Sequence, residues 1–274
     1  MPELRVLPPA AHSDPMLAFL RTERAAADQV GQTEQLDAGL AVFNPDWPDV
    51  PQANRLLLAA ATDVPTDAAD ALDSAIRFFA SHACRLLRVE LDPIAPEPRT
   101  APLAAELQRR GYAESARRLL FRRAGVVAAV RPLPPDVMIL PTRSALRQAA
   151  ELARSIVDAS PPASAHSADA LLASLDDPHV DALIALQAGK PIGWVSVLAA
   201  GDVGRLGGLY VVPTHRRQGI GQCLLGRAME IAARSLFRVV VCTVSQNDSE
   251  TPAILQVAGF SDGGTVRRFD LAAG

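Results

Sequence analysis

The chain has 274 residues, 49% of them apolar, and a formal net charge of −3 with an isoelectric point near 6.0. That length suits one large domain or two of ordinary size, and the small negative charge leaves no footprint for nucleic acid or for polybasic attachment to a membrane. Cys84, Cys223 and Cys242 are far apart and lack paired metal-ligand spacing, which suits buried free thiols in a reducing compartment and no metal. With neither a charged leader nor a long apolar run at the N-terminus, a soluble cytoplasmic protein is expected.

In the first half, Ser13 or Asp14 caps a helix with Pro15 in its first turn, running to about Val30. Residues 36–43 read as a strand, 44–51 as a Pro-rich loop around Trp47, and 55–61 as a buried strand. Pro65, Thr66 and Asp67 signal the start of a helix over 68–83, whose apolar residues Leu72, Ile76 and Phe79 fall at helical spacing. A strand over 85–91, a helix over 101–110, the cap-and-anchor pair Gly111-Tyr112 and a strand over 117–122 follow. Residues 126–136 are an extended linker containing the run Arg131-Pro132-Leu133-Pro134-Pro135.

The second half opens with a strand over 137–140 and a helix over 144–159. A Pro/Ala/Ser-rich loop follows over 160–167, then a helix over 168–175. Two apolar runs, 181–187 and 191–200, are joined by Ala188-Gly189-Lys190, a hairpin signal. Next comes the most informative stretch. The apolar residues Leu209, Tyr210, Val211 and Val212 end at Pro213. A basic loop with Arg216, Arg217 and Gln218 then leads into Gly219, Ile220, Gly221 and Gln222, which open a helix with apolar residues at Ile220, Leu224, Ala228 and Ile231. The first N–H groups of a helix have no internal partner and carry the positive end of its dipole. Glycines there remove the side chains that would hold an anion away. The construction binds a phosphate or pyrophosphate. It is not a P-loop, because Lys190 is the only lysine. Nor is it a dinucleotide fingerprint, because Leu224 stands where the third glycine belongs. Residues 237–244 then read as a central strand, 251–258 as a helix capped by Gly259-Phe260, and 266–271 as the last strand.

The run Arg216-x-x-Gly219-x-Gly221 after Leu-Tyr-Val-Val-Pro resembles the acyl-CoA loop of the GNAT N-acetyltransferase superfamily, and Gly193-Trp194-Val195 resembles a strand common in it. The resemblance covers residues 137–274. It implies an α/β (α+β) fold with a mixed, mostly antiparallel sheet flanked by helices, and acetyl-CoA as acyl donor. Acyl transfer would go directly to an amine of a small molecule or protein. By the same resemblance, the strand 209–212 meets the pantetheine arm and the N–H groups of 217–221 hold the pyrophosphate; Asn247, after the central strand, is either a coenzyme contact or a turn residue. The helices and loop over 144–175 wall the acceptor pocket, with 160–167 either an acceptor gate or a plain surface linker. The chain departs from the family at two catalytic positions: Leu255 replaces the usual Tyr, and Gly208 stands where an acid is common. Tyr210 is the substitute candidate for catalysis, against a plain packing role. Cys242 reads as buried, His215 as exposed, His166 as a loop residue, and Asp176, Asp177 and His179 as a helix end and turn rather than a metal cluster.

Residues 85–123 repeat the element order of 237–271. Aligning Arg85 with Phe237 puts Gly219 on Asp67 and Gly221 on Ala69. A carboxylate at a helix N-terminus satisfies that terminus itself and repels phosphate. Residues 1–125 are therefore expected to form a degenerate GNAT-like domain without a coenzyme loop, joined by the linker to the acetyltransferase domain 137–274, in a pseudo-twofold monomer or a homodimer. A catalytically weak acyl-CoA-binding sensor is the alternative function, and a mycothiol-synthase-type layout is a related possibility.

Overall fold

The structure, a computed structural model, describes residues 14–58, 67–124, 132–158 and 166–271. The cap at Ser13, most of the linker and residues 160–165 of the expected gate lie outside the described residues. Asp14 does cap α1 (Pro15–Val30), its Oδ1 accepting from the Met16 N–H at 2.8 Å. The first half continues through β1 (Gln32–Leu36), β2 (Gly39–Phe43), β3 (Arg55–Leu57), α2 (Ala68–Ser81), β4 (Arg88–Glu90), α3 (Glu97–Arg109) and β5 (Tyr112–Arg123). The second half holds β6 (Val137–Pro141), α4 (Leu146–Asp158), α5 (Ser167–Ala173), β7 (Val180–Gln187), β8 (Lys190–Ala200), β9 (Val203–Val211), α6 (Ile220–Arg234), β10 (Val239–Ser245), α7 (Glu250–Val257) and β11 (Ser261–Leu271).

The single strand expected over 36–43 is instead a hairpin that turns at Asp37 and Ala38, with Leu36 opposite Gly39. Gly39 has φ +144°, and a Cβ there would stand 2.4 Å from the Leu57 carbonyl oxygen, so the turn needs glycine against β3. Both cap-and-anchor pairs form. Gly111 and Gly259 end their helices at φ +83° and +86°, and the buried Tyr112 donates its hydroxyl to the Leu86 carbonyl at 2.7 Å.

The expectation of two separate sheets is corrected by the strand order, which is β1-β2-β3-β4-β11-β5-β10-β9-β8-β7-β6 in one sheet. Within each half a parallel pair is linked through a helix, β3 to β4 by α2 and β9 to β10 by α6. The last strand of each half then crosses over. β5 pairs with β10 along all of 239–245, β11 pairs with β4, and the two pair with each other along their length. Periodicity and turn residues specify which segments are strands, but nothing in them names a partner so far away in sequence.

One face of the sheet carries α6 and α7 over Leu120, Val240, Cys242, Val244 and Leu255, with a second core of α2 and α3 over Leu56, Val89 and Phe269. The other face carries α4 and α1. Ala27 of α1 packs on Leu40 and Val42 of β2, and Ala25 and Ala26 pack on the cluster around Trp194 of β8. Glu23 of α1 joins Arg205 of β9 (2.6 Å) and Arg55 of β3 (3.0 Å), and Arg55 also joins Glu90 of β4 (3.0 Å). Strands β3 and β9 are five places apart in the sheet, about 24 Å if it were flat. Both arginines meet one carboxylate, so the sheet curls around α1. Glu23 Oε2 toward Arg55 and Arg205 Nη1 toward Glu23 Oε1 make ion-pair contact without hydrogen-bond alignment, which makes the attraction chiefly one of charge. No helix among the described residues is long and apolar enough to cross a membrane.

Burial is the largest single influence on Glu23 and opposes its ionisation. Arg205 and Arg55 together overcome it and hold the carboxyl below the usual Glu range. A depressed folded-state pKa contributes stability that is present above the unfolded value and lost as pH falls through the folded one. Glu23→Ala leaves the Arg205 guanidinium without its acid and the buried Arg55 with Glu90 alone, and should cost about 3 kcal/mol in urea unfolding. Unfolding should be a single transition for 67–124 and 166–271 together, and the acid limb of the wild-type stability curve should flatten in Glu23→Gln. Two separated transitions by circular dichroism would contradict the shared sheet.

Candidate functional site

Strands β9 and β10 pair only between 203–205 and 239–241. Beyond that point they part, and β9 carries an irregularity where Trp194 and Ser196 of β8 face Tyr210 and Gly207. Gly208 within it has φ +61°, and a Cβ there would lie 3.0 Å from the Trp194 ring. A side chain at this position would strain the backbone and press on the tryptophan ring, so the local structure favours glycine here.

The parted strands open onto a cavity of about 670 Å³ bounded by the end of β9, the basic loop, the start of α6 and the first turn of α7. The loop runs from a short 3-10 turn over Pro213–His215 through an extended Arg216 to Arg217 at φ +62° and Gly219 at φ +85°. For Arg217 that left-handed backbone costs about 1–2 kcal/mol, a strain of the kind found where backbone amides are turned toward a ligand. Gly219 is the N-cap of α6 and offers no side-chain cap. Among the described residues, the N–H groups of Arg217, Gln218, Gly219, Ile220 and Gly221 have no protein acceptor. Gly221 lines the cavity 3.6 Å, measured from an ideal Cβ, from Val211 Cγ2 and 3.8 Å from Ile254 Cδ1. A small side chain would fit there; an acidic one would stand in the cavity.

The matching terminus in the first half is closed. Asp67 is the N-cap of α2, and its Oδ1 accepts from Ala69 N at 2.7 Å and Asp70 N at 3.4 Å. The alignment of Gly219 with Asp67 thus falls on the caps of two equivalent helices, one with its amides open and the other with its amides filled.

The cavity gathers Leu209, Tyr210, Val211, Arg216, Arg217, Gly219, Gly221 and Gln222. Val212, Gln218, Ile220 and Asn247 do not line it. Val212 is tied to the Ile192 carbonyl, Gln218 reaches the Thr214 carbonyl, Ile220 is buried in the core, and Asn247 is exposed beyond β10. Tyr210 sits on the α4 side of the sheet, its Oη 3.5 Å from Ser155 Oγ, while Leu209 and Val211 pack toward α6. Leu255 is buried in the α6 core, and Thr251, Ala253 and Ile254 present α7 to the cavity. Burial pushes the Cys242 thiol up to about 12, so it is neutral and not nucleophilic at pH 7. His215 lines the cavity partly covered, with Nε2 2.7 Å from Gln187 Oε1. His166 contacts Asp49 at 2.6 Å, and His179 contacts Asp177 at 2.9 Å. No group of three His, Cys, Asp or Glu suited to a metal occurs among the described residues.

Sequence reasoning missed Glu250. This first-turn residue of α7 stands 3.5 Å from Arg217 Nη2 and 4.0 Å from Arg216 Nη1. An acid opening a short helix reads as an ordinary end charge; only the fold sets it opposite the basic loop. The three side chains are largely exposed, so the pairs are weak and yield readily to a stronger anion.

Residues 146–260 match the model of the acetyltransferase (GNAT) family. No curated protein matches the chain. Among solved structures, a GCN5-related N-acetyltransferase from Kribbella flavida is 20% identical with a TM-score of 0.67, over 94% of this chain and 96% of that one. A functionally unknown conserved protein from Staphylococcus epidermidis is 13% identical with a TM-score of 0.65, over 89% and 95%. A tandem GNAT protein from the clavulanic acid biosynthesis pathway is 15% identical with a TM-score of 0.52, over 75% and 70%. These likenesses are of fold.

Arg217→Gly relieves the left-handed strain and removes one positive charge from the loop. It should leave the melting temperature unchanged or slightly raised while weakening inorganic pyrophosphate in calorimetry by severalfold. A variant that loses stability and keeps pyrophosphate affinity would contradict the strained-cradle account.

Proposed function

We propose that this chain, whose residues 146–260 match the acetyltransferase (GNAT) family model, is an acyl-CoA-dependent N-acyltransferase, with acetyl-CoA as donor. The observation that carries the proposal is the run of unpartnered N–H groups from Arg217 to Gly221 beside a cavity of about 670 Å³ lined by Arg217, Gly219 and Gly221. Five amides at a helix start, with Arg216 and Arg217 beside them, fit a diphosphate. The edge of β9 beyond Arg205, no longer paired with β10, is free for the amide groups of a pantetheine arm.

In this reading the amine nitrogen attacks the thioester carbonyl carbon directly. The C–S bond breaks, the thiolate takes a proton, and the amine loses one. The chain contributes chiefly position, together with backbone polarisation of the carbonyl oxygen. Tyr210 stands on the opposite side of the sheet from the α6 core, where the acceptor would enter, and its hydroxyl is the candidate proton relay. Residues 1–125 act as a degenerate copy whose helix start is closed by Asp67. The buried Leu255 and the glycine at 208 favour a second reading, an acyl-CoA-binding sensor with little turnover.

Gly221→Asp should weaken acetyl-CoA by at least about tenfold, or 1.4 kcal/mol, in calorimetry while leaving the circular dichroism spectrum unchanged; equal affinity would remove the loop from the site. Tyr210→Phe should lower kcat for CoA release by about tenfold or more with the acetyl-CoA Kd held. Unchanged kcat would reduce Tyr210 to packing, and tight binding without CoA release across a broad amine panel would decide for the sensor.

A further inference from the structure

One set of buried charges has no part in the reading above. Register places Arg205 of β9, Arg117 of β5 and Arg268 of β11 on the face of the sheet that holds α1. Arg205 is the Cα partner of Val241 and Arg117 of Val266, and Val241, Val266 and Leu119 all pack around Phe19 of α1. On β10, Thr243 and Ser245 alternate with the α6-side residues Cys242 and Val244, so they share that face, as does Tyr210. This is the side from which an amine would approach the parted strands.

Arg205 and Arg268 have acids, Glu23 at 2.6 Å and Asp270 at 3.2 Å. Arg117 has none within ion-pair distance among the described residues. Its Nη2 donates to the Thr243 carbonyl at 2.6 Å, past the last residue of β10 that pairs with β9, and its Nε has no partner. Its charged surroundings are chiefly Arg268, Arg205 and Arg88, with Glu90 and Glu23 as the acids that oppose them. Burial and these three arginines pull its pKa down to about 10, so it remains a cation at neutral pH. All three arginines stay partly open to solvent, Arg205 and Arg268 with side-chain exposures of 22% and 23%. A half-buried cation that has more cations than acids around it is relieved by an added anion at its solvent-open edge.

We propose that the amine acceptor carries a carboxylate or phosphate group, received by Arg117 with Arg205 and Arg268 flanking it. The inference rests on the acyl-transfer reading for the identity of the ligand as an acceptor. It also gives the first half of the chain a direct part in the site, since Arg117 belongs to β5. Overall net charge is silent here; the field that matters is local.

The experiment uses the full chain, acetyl-CoA and matched amines: β-alanine against its amide for the carboxylate, O-phosphoethanolamine against ethanolamine for the phosphate. The anionic member of at least one pair should show a kcat/KM for CoA release higher by about tenfold or more. Arg117→Gln should erase that preference with the acetyl-CoA Kd held within about twofold, and Arg117→Lys should restore part of it. Neutral amines used equally well, or a preference that survives Arg117→Gln, would overturn the proposal. Should no amine be turned over, or Arg117→Gln fail to fold, β-alanine and O-phosphoethanolamine are titrated calorimetrically into wild type and Arg117→Lys. Binding of one that weakens severalfold with lysine supports the site; absence of binding to wild type overturns it. Acetyl-CoA titrated alone tests the coenzyme reading separately, so the failure of one is not mistaken for failure of the other.

Discussion

The antiparallel pairing of β5 with β11 is the constraint on which the rest of this structure depends. Each strand ends its own half in sequence and lies beside a strand of the other half in space, β5 on β10 and β11 on β4. The cleft between β9 and β10 therefore has a rigid far wall only because β5 backs β10 along its full length. The same exchange places Leu119 and Arg117, from the first half, on the face where α1 crosses. Glu23 reinforces the arrangement from the other side by drawing Arg55 and Arg205 to one carboxylate. Such a buried network contributes less to net stability than its contacts suggest, because each charge gives up water to enter it. Its stronger effect is on geometry, since removing one member leaves the others charged and buried.

Electrostatics separates the two halves where topology makes them alike. The helices α2 and α6 leave parallel strand pairs in the same manner, yet Asp67 fills the amides of one start while Gly219 leaves those of the other open. In the proposed reading, the difference between a carboxylate and a hydrogen atom at one cap decides which half would hold a diphosphate. Glu250 adds a modest counterweight opposite the open end, weak enough at its exposure to be displaced.

Much of this was legible in the residues. Helical spacing located α2 and α6, the glycine caps located the ends of α3 and α7, and the alignment of Asp67 with Gly219 fell on two true caps. The conformation of the loop over 216–221 was readable because its determinants are local: amides, glycines and arginines adjacent in sequence. The hairpin over 32–43 was missed because Asp37-Ala38 lacks the usual turn glycine, which falls one residue later at Gly39. The single sheet was missed for a deeper reason, since alternation in β5 and β11 states which side is buried and never which strand is the neighbour. Glu23, Glu250 and Arg117 were equally invisible. Each reads as a solvated surface charge until packing removes its water or brings opposite charge to it.

The crossing of terminal strands has a consequence for how such a chain can change over generations. The strand that ends the first half also backs β10 of the second, so β5 is held to its sequence by both halves at once. Substitutions along β5 should for that reason be tolerated less readily than those around Asp67.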